Sequence, residues 1–243
     1  MKAIAVIPAR YNSSRFPGKP LAEILGKPMI QWVYEGVSKA EKIESVYVAT
    51  DDTRIFDCVE RFDGNAIMTG DCHCGTDRVY QASKGIDCDV IINVQGDEPM
   101  IVAQEIDDLV SLFENDNVQM ATLRKRITDT TEIDNPNIVK IVVDLFDNAL
   151  YFSRSRIPFA GRARQEVYYY RHIGIYGYRK DFLKQFVELE ESPNERIEKL
   201  EQMRALDNGF KIKTMETQYE GIGVDIKEDI GKVEMYMKNR SVY

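Results

Sequence analysis

No stretch of this 243-residue chain approaches the roughly 20 consecutive apolar residues that a bilayer-spanning helix needs. The N-terminal run 1–7 is apolar, but it meets Pro8-Ala9-Arg10 at once and carries no small-residue cleavage site. It is expected to be a first strand, not a signal peptide, in a cytoplasmic protein. A basic excess is missing too. The formal net charge is -8, from 32 Lys and Arg against 40 Asp and Glu. That excludes the broadly basic surface of a general nucleic-acid binder, while leaving room for local cations around a small anion. Cysteine is scarce: Cys58, Cys72, Cys74 and Cys88. The Cys72-His73-Cys74 run has no second pair at structural-zinc spacing, so reduced thiols are expected. There is no Walker A loop, and Gly221-Ile222-Gly223 has Ile226 where a dinucleotide fingerprint needs its third glycine. Repeats, low-complexity tracts and linkers are also lacking. A single domain, 1–243, is therefore expected, with a loop or dimerisation excursion around 150–178; the polar stretch 154–171 is its expected mobile part.

What is present alternates between strand and helix. Short apolar runs at 4–7, 46–49, 66–68 and 90–94 read as strands. Between them, Met29, Ile30, Val33, Val37 and Ala40 recur at helical spacing, 53–62 reads as a short helix, and another begins near Thr76. Ile106, Leu109, Val110 and Phe113 mark a further helix. This order predicts an α/β fold with a mostly parallel central sheet covered by helices on both faces. In the second half, strands are expected at 138–143, 149–153, 172–178 and 211–215, and helices at 195–208 and 227–238.

Ligands of open α/β sheets bind beyond the carboxyl ends of the strands. Three such ends are polar here. The first runs into a loop that holds Arg10, Arg15 and Lys19 with Ser13, Ser14, Pro17 and Gly18 between them. Three cations, hydroxyls and free backbone N–H groups suit a triphosphate. The second ends at Asp51-Asp52, and the strand at 90–94 leads into Gln95-Gly96-Asp97. Asp97, and Asp225 after Gly223-Val224, have the positions of sheet-edge carboxylates that could hold Mg²⁺ against phosphates, or serve as ordinary caps. His172 shares a strand face with Tyr176, opposite Ile173 and Ile175.

The segment from Ile7-Pro8-Ala9-Arg10 to Gly18-Lys19-Pro20-Leu21 resembles the opening of the 3-deoxy-manno-octulosonate cytidylyltransferases, the CMP-KDO synthetases. So do Ala49-Thr50-Asp51-Asp52, Gln95-Gly96-Asp97-Glu98-Pro99, Tyr151-Phe152-Ser153-Arg154, Arg171-His172-Ile173-Gly174, Leu200-Glu201-Gln202 and Gly223-Val224-Asp225, in order along nearly the whole chain. The resemblance implies a Rossmann-like nucleotidyltransferase fold, a homodimer, Mg²⁺ as cofactor and CTP as co-substrate. By that likeness Arg10, Ser13, Arg15 and Lys19 grip CTP, and Gly75-Thr76-Asp77-Arg78 contacts the cytosine nucleotide. Asp97 and Asp225 bind the metal, and Arg10, Lys19, Asp97 and Asp225 form the catalytic set. Gln95, Arg154, His172, Tyr176, Glu201 and Gln202 hold the sugar acid, with Arg154 and His172 on its carboxylate. The product is expected to feed lipopolysaccharide or capsule.

The chain departs from the family pattern twice. Cys74 stands where a serine is usual, with His73 displaced by one position, and Ile226 replaces a threonine. Two further readings stay open: transfer to an 8-amino octulosonate or another sugar acid, and a non-catalytic protein that binds nucleotide sugars.

Overall fold

The computed structural model describes residues 1–13, 15–161, 166–219 and 221–240, with Arg240 described by its backbone alone. Ser14 of the first loop and residues 162–165 of the expected excursion lie outside the described residues. The chain forms two compact units, Met1–Asp107 with Glu220–Tyr243, and Asp108–Tyr219.

In the first unit, β1 (Ala3–Ala9) leads through a two-stranded hairpin, β2 (Glu23–Ile24) and β3 (Lys27–Pro28), into α1 (Met29–Val37). Then come β4 (Ser45–Thr50), α2 (Thr53–Glu60), β5 (Ala66–Met68), α3 (Gly75–Ser83), β6 (Val90–Asn93) and α4 (Ala103–Ser111), within which the chain passes into the second unit. β1 pairs in parallel with both β4 and β6, and β4 pairs in parallel with β5. The resulting order, β6-β1-β4-β5, explains the apolar runs. All four residues of β6 are buried, as are six of the seven in β1, because helices flank these strands. Asp52 starts α2 by accepting the Arg54 N–H at 3.0 Å, an ordinary cap. The C-terminal helix, Asp229–Arg240, returns to this unit and packs Val233 beside Ile24, Met29 and Val224.

The second unit holds β7 (Met120–Arg126), β8 (Lys140–Val143), β9 (Ala149–Ser153), β10 (Tyr170–Arg179) and β11 (Ile212–Glu216). β7 pairs in parallel with β11 and antiparallel with β10; β8 pairs antiparallel with both β10 and β9. The stretch 150–178 of the expected excursion contains most of β9 and β10. Helix α5 (Lys180–Glu188) buries Phe182, Leu183 and Phe186, with Phe186 stacked near Tyr178.

The single helix expected at 195–208 is two, α6 (Pro193–Glu198) and α7 (Met203–Asp207). The reason is local. Ser192 and Glu195 form a reciprocal capping box behind Pro193, and Lys199 adopts φ 57° and closes the helix one turn later. Glu195 then pairs with Arg204 at 2.6 Å and ties the two short helices together.

Truncating Ile91, wholly buried in β6, to alanine is expected to cost about 2–5 kcal/mol. Leu145→Ala, at a side chain 99% exposed, should stay within about 0.5 kcal/mol. Urea midpoints at unchanged m-value check both.

Candidate active site

Parallel pairing brings the carboxyl ends of β1, β4 and β6 to one edge of the first unit. The loop that leaves β1 is folded back on Tyr11, whose carbonyl accepts the N–H groups of Ser13 at 3.1 Å and Gly18 at 2.8 Å. Gly18 is left-handed, φ 72°, and a Cβ there would stand 3.2 Å from the Tyr11 ring. Glycine is required for both reasons. The Arg54 guanidinium covers that ring, 3.3 Å from its centroid. The folded loop leaves a cleft of about 230 Å³ lined by Arg10, Ser13, Arg15, Lys19, Gly75, Arg78, Gln95 and Asp97. The sequence-predicted residues of this unit therefore converge, except that Asp225 reaches the group only through Arg15.

The charges are arranged in pairs around open space. Lys19 donates to Asp97 Oδ2 at 2.6 Å and to the Val224 carbonyl at 2.9 Å. Arg15 lies 3.1 Å from Asp225, both exposed. Arg10 is exposed and has no ion-pair or hydrogen-bond partner among the described residues. Gly96 lets the Asp97 segment close on β1: a Cβ there would meet the Pro8 carbonyl at 3.1 Å. The Val224 N–H donates to the Asp97 carbonyl at 2.9 Å, which sets the backbone just before Asp225 against the Asp97 segment. Asp229, which sequence reasoning missed, orders that turn by accepting the N–H groups of Asp225 at 3.1 Å and Ile226 at 3.2 Å. Hydrogen bonding to Lys232 holds the Asp229 carboxyl below its ordinary pKa. Its position, three residues after Ile226, was the signal available in the sequence.

Arg78 lines the cleft from α3, but it is buried and its charge is already met, by Asp51 at 2.6 Å and by the Thr69 hydroxyl. It shapes the wall and adds no free cation. The two thiols close the same loop. Cys74 Sγ caps α3 by accepting the Asp77 N–H at 3.4 Å, and Cys72 Sγ lies 3.4 Å from Gln81 Oε1. The capping role usual for a serine is therefore kept by sulfur, and neither thiol is in a disulfide. Among the described residues no group of three or more His, Cys, Asp and Glu gathers to hold a metal. Asp97 lines the cleft and Asp225 stands beside it through Arg15, and carboxylate oxygens are donors of the kind magnesium takes.

The other predicted residues belong to the second unit. His172 and Tyr176 lie on β10 with ring centroids 5.2 Å apart, and Phe152 meets the imidazole edge-on at 5.1 Å. The His172 Nε2 is 3.0 Å from Thr122 Oγ, whose one proton goes to the Ile175 carbonyl at 2.7 Å. With the Thr122 proton on a carbonyl, Nε2 of His172 is the donor to Thr122 Oγ and Nδ1 is left as an acceptor. Burial, helped by the Arg171 charge, lowers its pKa to about 3. Its ring is therefore neutral at physiological pH. Burial, and then the Glu201 charge, pushes the Tyr176 phenol well above its ordinary value. Gln202 is 6% exposed, and its Nε2 has no partner among the described residues. Arg154 gives Nε to the Glu198 carbonyl and Nη1 to the Pro136 carbonyl, each at 3.1 Å, and forms no ion pair among the described residues.

No helix among the described residues is long and apolar enough to cross a membrane. Comparison with known proteins gives a consistent picture. The family model described as cytidylyltransferase matches residues 4–214. A 3-deoxy-manno-octulosonate cytidylyltransferase of Syntrophus aciditrophicus is 46% identical, over 99% of this chain and 99% of its own. An 8-amino-3,8-dideoxy-manno-octulosonate cytidylyltransferase of Shewanella frigidimarina is 50% identical, over 97% and 98%. The solved structure of a CMP:2-keto-3-deoxy-manno-octonic acid synthetase complexed with CTP superposes with a TM-score of 0.95 at 43% identity, covering 99% of this chain and 100% of that one. The α/β fold with a mostly parallel sheet flanked by helices is shared with that synthetase. A match over most of the length, together with relatives of this identity, shows that the chain belongs to the cytidylyltransferase family.

Proposed function

We propose that the chain acts as one cytidylyltransferase domain that joins CMP, from CTP, to the anomeric hydroxyl of 3-deoxy-D-manno-octulosonate. The anomeric oxygen forms a bond to the α-phosphorus, the bond from that phosphorus to the bridging oxygen breaks, and pyrophosphate leaves. The observation that carries this reading is the cleft at the strand ends, where Arg10 has no partner among the described residues and Arg15 and Lys19 stand beside two carboxylates. The names of the relatives supply the nucleotide and the acid. The 8-amino acid is the second reading, favoured by the Shewanella frigidimarina relative.

In this reaction Ser13, Arg10 and Arg15 bind the triphosphate, and Lys19 and Arg10 offset charge on the leaving pyrophosphate. Magnesium, held by Asp97 and Asp225, would supply positive charge at the phosphates and lower the pKa of the attacking hydroxyl. Gly75 and Arg78 border the nucleoside, and Gln95 the acid. Arg154 takes the carboxylate, for which a guanidinium fork is suited. The neutral His172, with Tyr176, Glu201 and Gln202, recognises sugar hydroxyls. The protein works in the cytoplasm as a homodimer, and its product feeds lipopolysaccharide or capsule. The second unit exposes Leu145, Phe146, Leu150 and Ile197, apolar groups that a partner copy would cover.

Pyrophosphate release measured with Mg²⁺ should occur with CTP and not with UTP, ATP or GTP, and with the octulosonate or its 8-amino form. CTP binding without release for any acid would leave the non-catalytic reading instead. Asp97→Asn should lower kcat roughly 100-fold or more, with the CTP dissociation constant moving far less. Near-normal turnover at saturating magnesium would remove Asp97 from the mechanism. The carbon-13 shift of the His172 ring should stay that of a neutral imidazole from pH 8 to pH 5. Because the unfolded chain protonates this residue more readily than the folded one, His172 withdraws stability as pH falls below about 6.5 towards 3. His172→Gln should flatten that part of the stability profile.

A further inference from the structure

Lys140 opens β8 and is wholly buried, a rare place for an ammonium group. Its three protons have three acceptors, the carbonyls of Asn135 at 2.9 Å, Ile138 at 2.7 Å and Arg154 at 2.5 Å. The sheet register places it between Ser153 of β9 and Arg171 of β10. One residue further along each strand are Arg154 and His172, and the His172 N–H donates to the Val139 carbonyl at 2.8 Å. Lys140 is thus the buried neighbour of both.

Glu198, the last residue of α6, grips the same segment from the other side. Its carboxylate accepts from Ser153 Oγ at 2.7 Å and from the Arg154 N–H at 3.0 Å, while its carbonyl accepts Arg154 Nε at 3.1 Å. The Arg154 Nη1 rests on the Pro136 carbonyl, in the turn whose Asn135 and Ile138 carbonyls Lys140 draws together. The Arg154 peptide is therefore fixed at its N–H by Glu198 and at its carbonyl by Lys140. Among the described residues its guanidinium is oriented by neutral carbonyls alone. Glu198 is close enough to have taken the guanidinium charge, yet its carboxylate is committed to a backbone N–H and a hydroxyl. This arrangement rigidifies a cation without neutralising it, which is what a site for an anionic ligand needs.

We propose that Lys140 and Glu198 are positioning residues that pre-orient Arg154 for the carboxylate of the sugar acid. The inference rests on the acid-binding role proposed for Arg154. Steady-state kinetics of the full chain with CTP and 3-deoxy-D-manno-octulosonate test it in three variants. Arg154→Ala should raise the acid KM on the order of 100-fold. Lys140→Met and Glu198→Gln should each raise it about tenfold, with the CTP KM within about twofold and kcat at saturation little changed. A merely structural role would instead lower the active fraction, reducing kcat and leaving both KM values alone; that outcome overturns the proposal. Lys140→Met loses three buried hydrogen bonds, so if it does not fold, Glu198→Gln, nearly isosteric, decides alone. An unchanged acid KM in Arg154→Ala would remove the acid-binding reading, and the proposal with it. Normal KM values in folded Lys140→Met and Glu198→Gln beside a defective Arg154→Ala would overturn the proposal while leaving that reading intact.

Discussion

The Lys19 ammonium joins stretches of chain up to 205 positions apart, binding the Asp97 carboxylate and the Val224 carbonyl at once. Everything at the edge of the first unit depends on that closure. It works because the parallel sheet has already brought the ends of β1 and β6 together and because Gly96 has no side chain to hold them apart. With its side chain 15% exposed, Lys19 is screened less than a surface charge. The Arg15–Asp225 pair is of the other kind. Both partners are exposed, and such pairs are worth roughly 0–1 kcal/mol. The cleft thus combines one ion pair that costs much to break with one that costs little. In the proposed reaction, Arg15 and Asp225 can turn to phosphate and metal while Lys19 keeps the framework in place.

The second unit solves a different problem. Of the proposed acid-binding residues, Arg154 and Glu201 are charged, and Glu201 lies 4.0 Å from Arg204. His172 is kept neutral by burial, Tyr176 stays protonated, and Gln202 has an amide donor with no partner among the described residues. An unpaired buried amide costs free energy in the empty protein. A hydroxyl-rich ligand that accepts its hydrogen bond would recover that cost, and the recovery would favour ligands with an oxygen there over those without. Neutral groups also keep this recognition independent of pH across the physiological range, which a charged histidine could not do.

How much of this was legible in the sequence follows from how local each signal is. The strands β1, β4 and β6 read out directly, since burial on both faces leaves a continuous apolar run. The loop with Arg10, Arg15 and Lys19 stood out because three cations fall within ten positions. β7 gave no such pattern. It contains Thr122, Arg124, Lys125 and Arg126, and only the fold shows that Arg124 is buried against Asp147 at 2.6 Å. The break between α6 and α7 was hidden because Leu200 and Met203 keep helical spacing through Lys199, and a left-handed lysine has no sequence mark. Lys140 and Glu198 were invisible for a related reason. A lone lysine in a strand and a glutamate in a helix both read as solvated, and their carbonyl and N–H partners come from elements that only tertiary pairing brings near.

The Cys72-His73-Cys74 run shows how a local departure can leave a site standing. A helix start needs an acceptor for an orphan N–H, and the identity of that acceptor matters less than its position. Cys74 keeps an extended backbone, φ −139° and ψ 178°, and presents sulfur to the Asp77 N–H. Sulfur is a weaker acceptor than a hydroxyl oxygen, but it is also larger, so 3.4 Å is a full contact and not a stretched one. The neighbouring Cys72 adds contacts to Gly70 and Gln81, and burial raises its pKa, which keeps it a thiol. The loop at the wall of the cleft is thereby held by two soft sulfur groups. Its backbone reaches the start of α3, which sets Gly75 and Arg78 at the wall of the cleft.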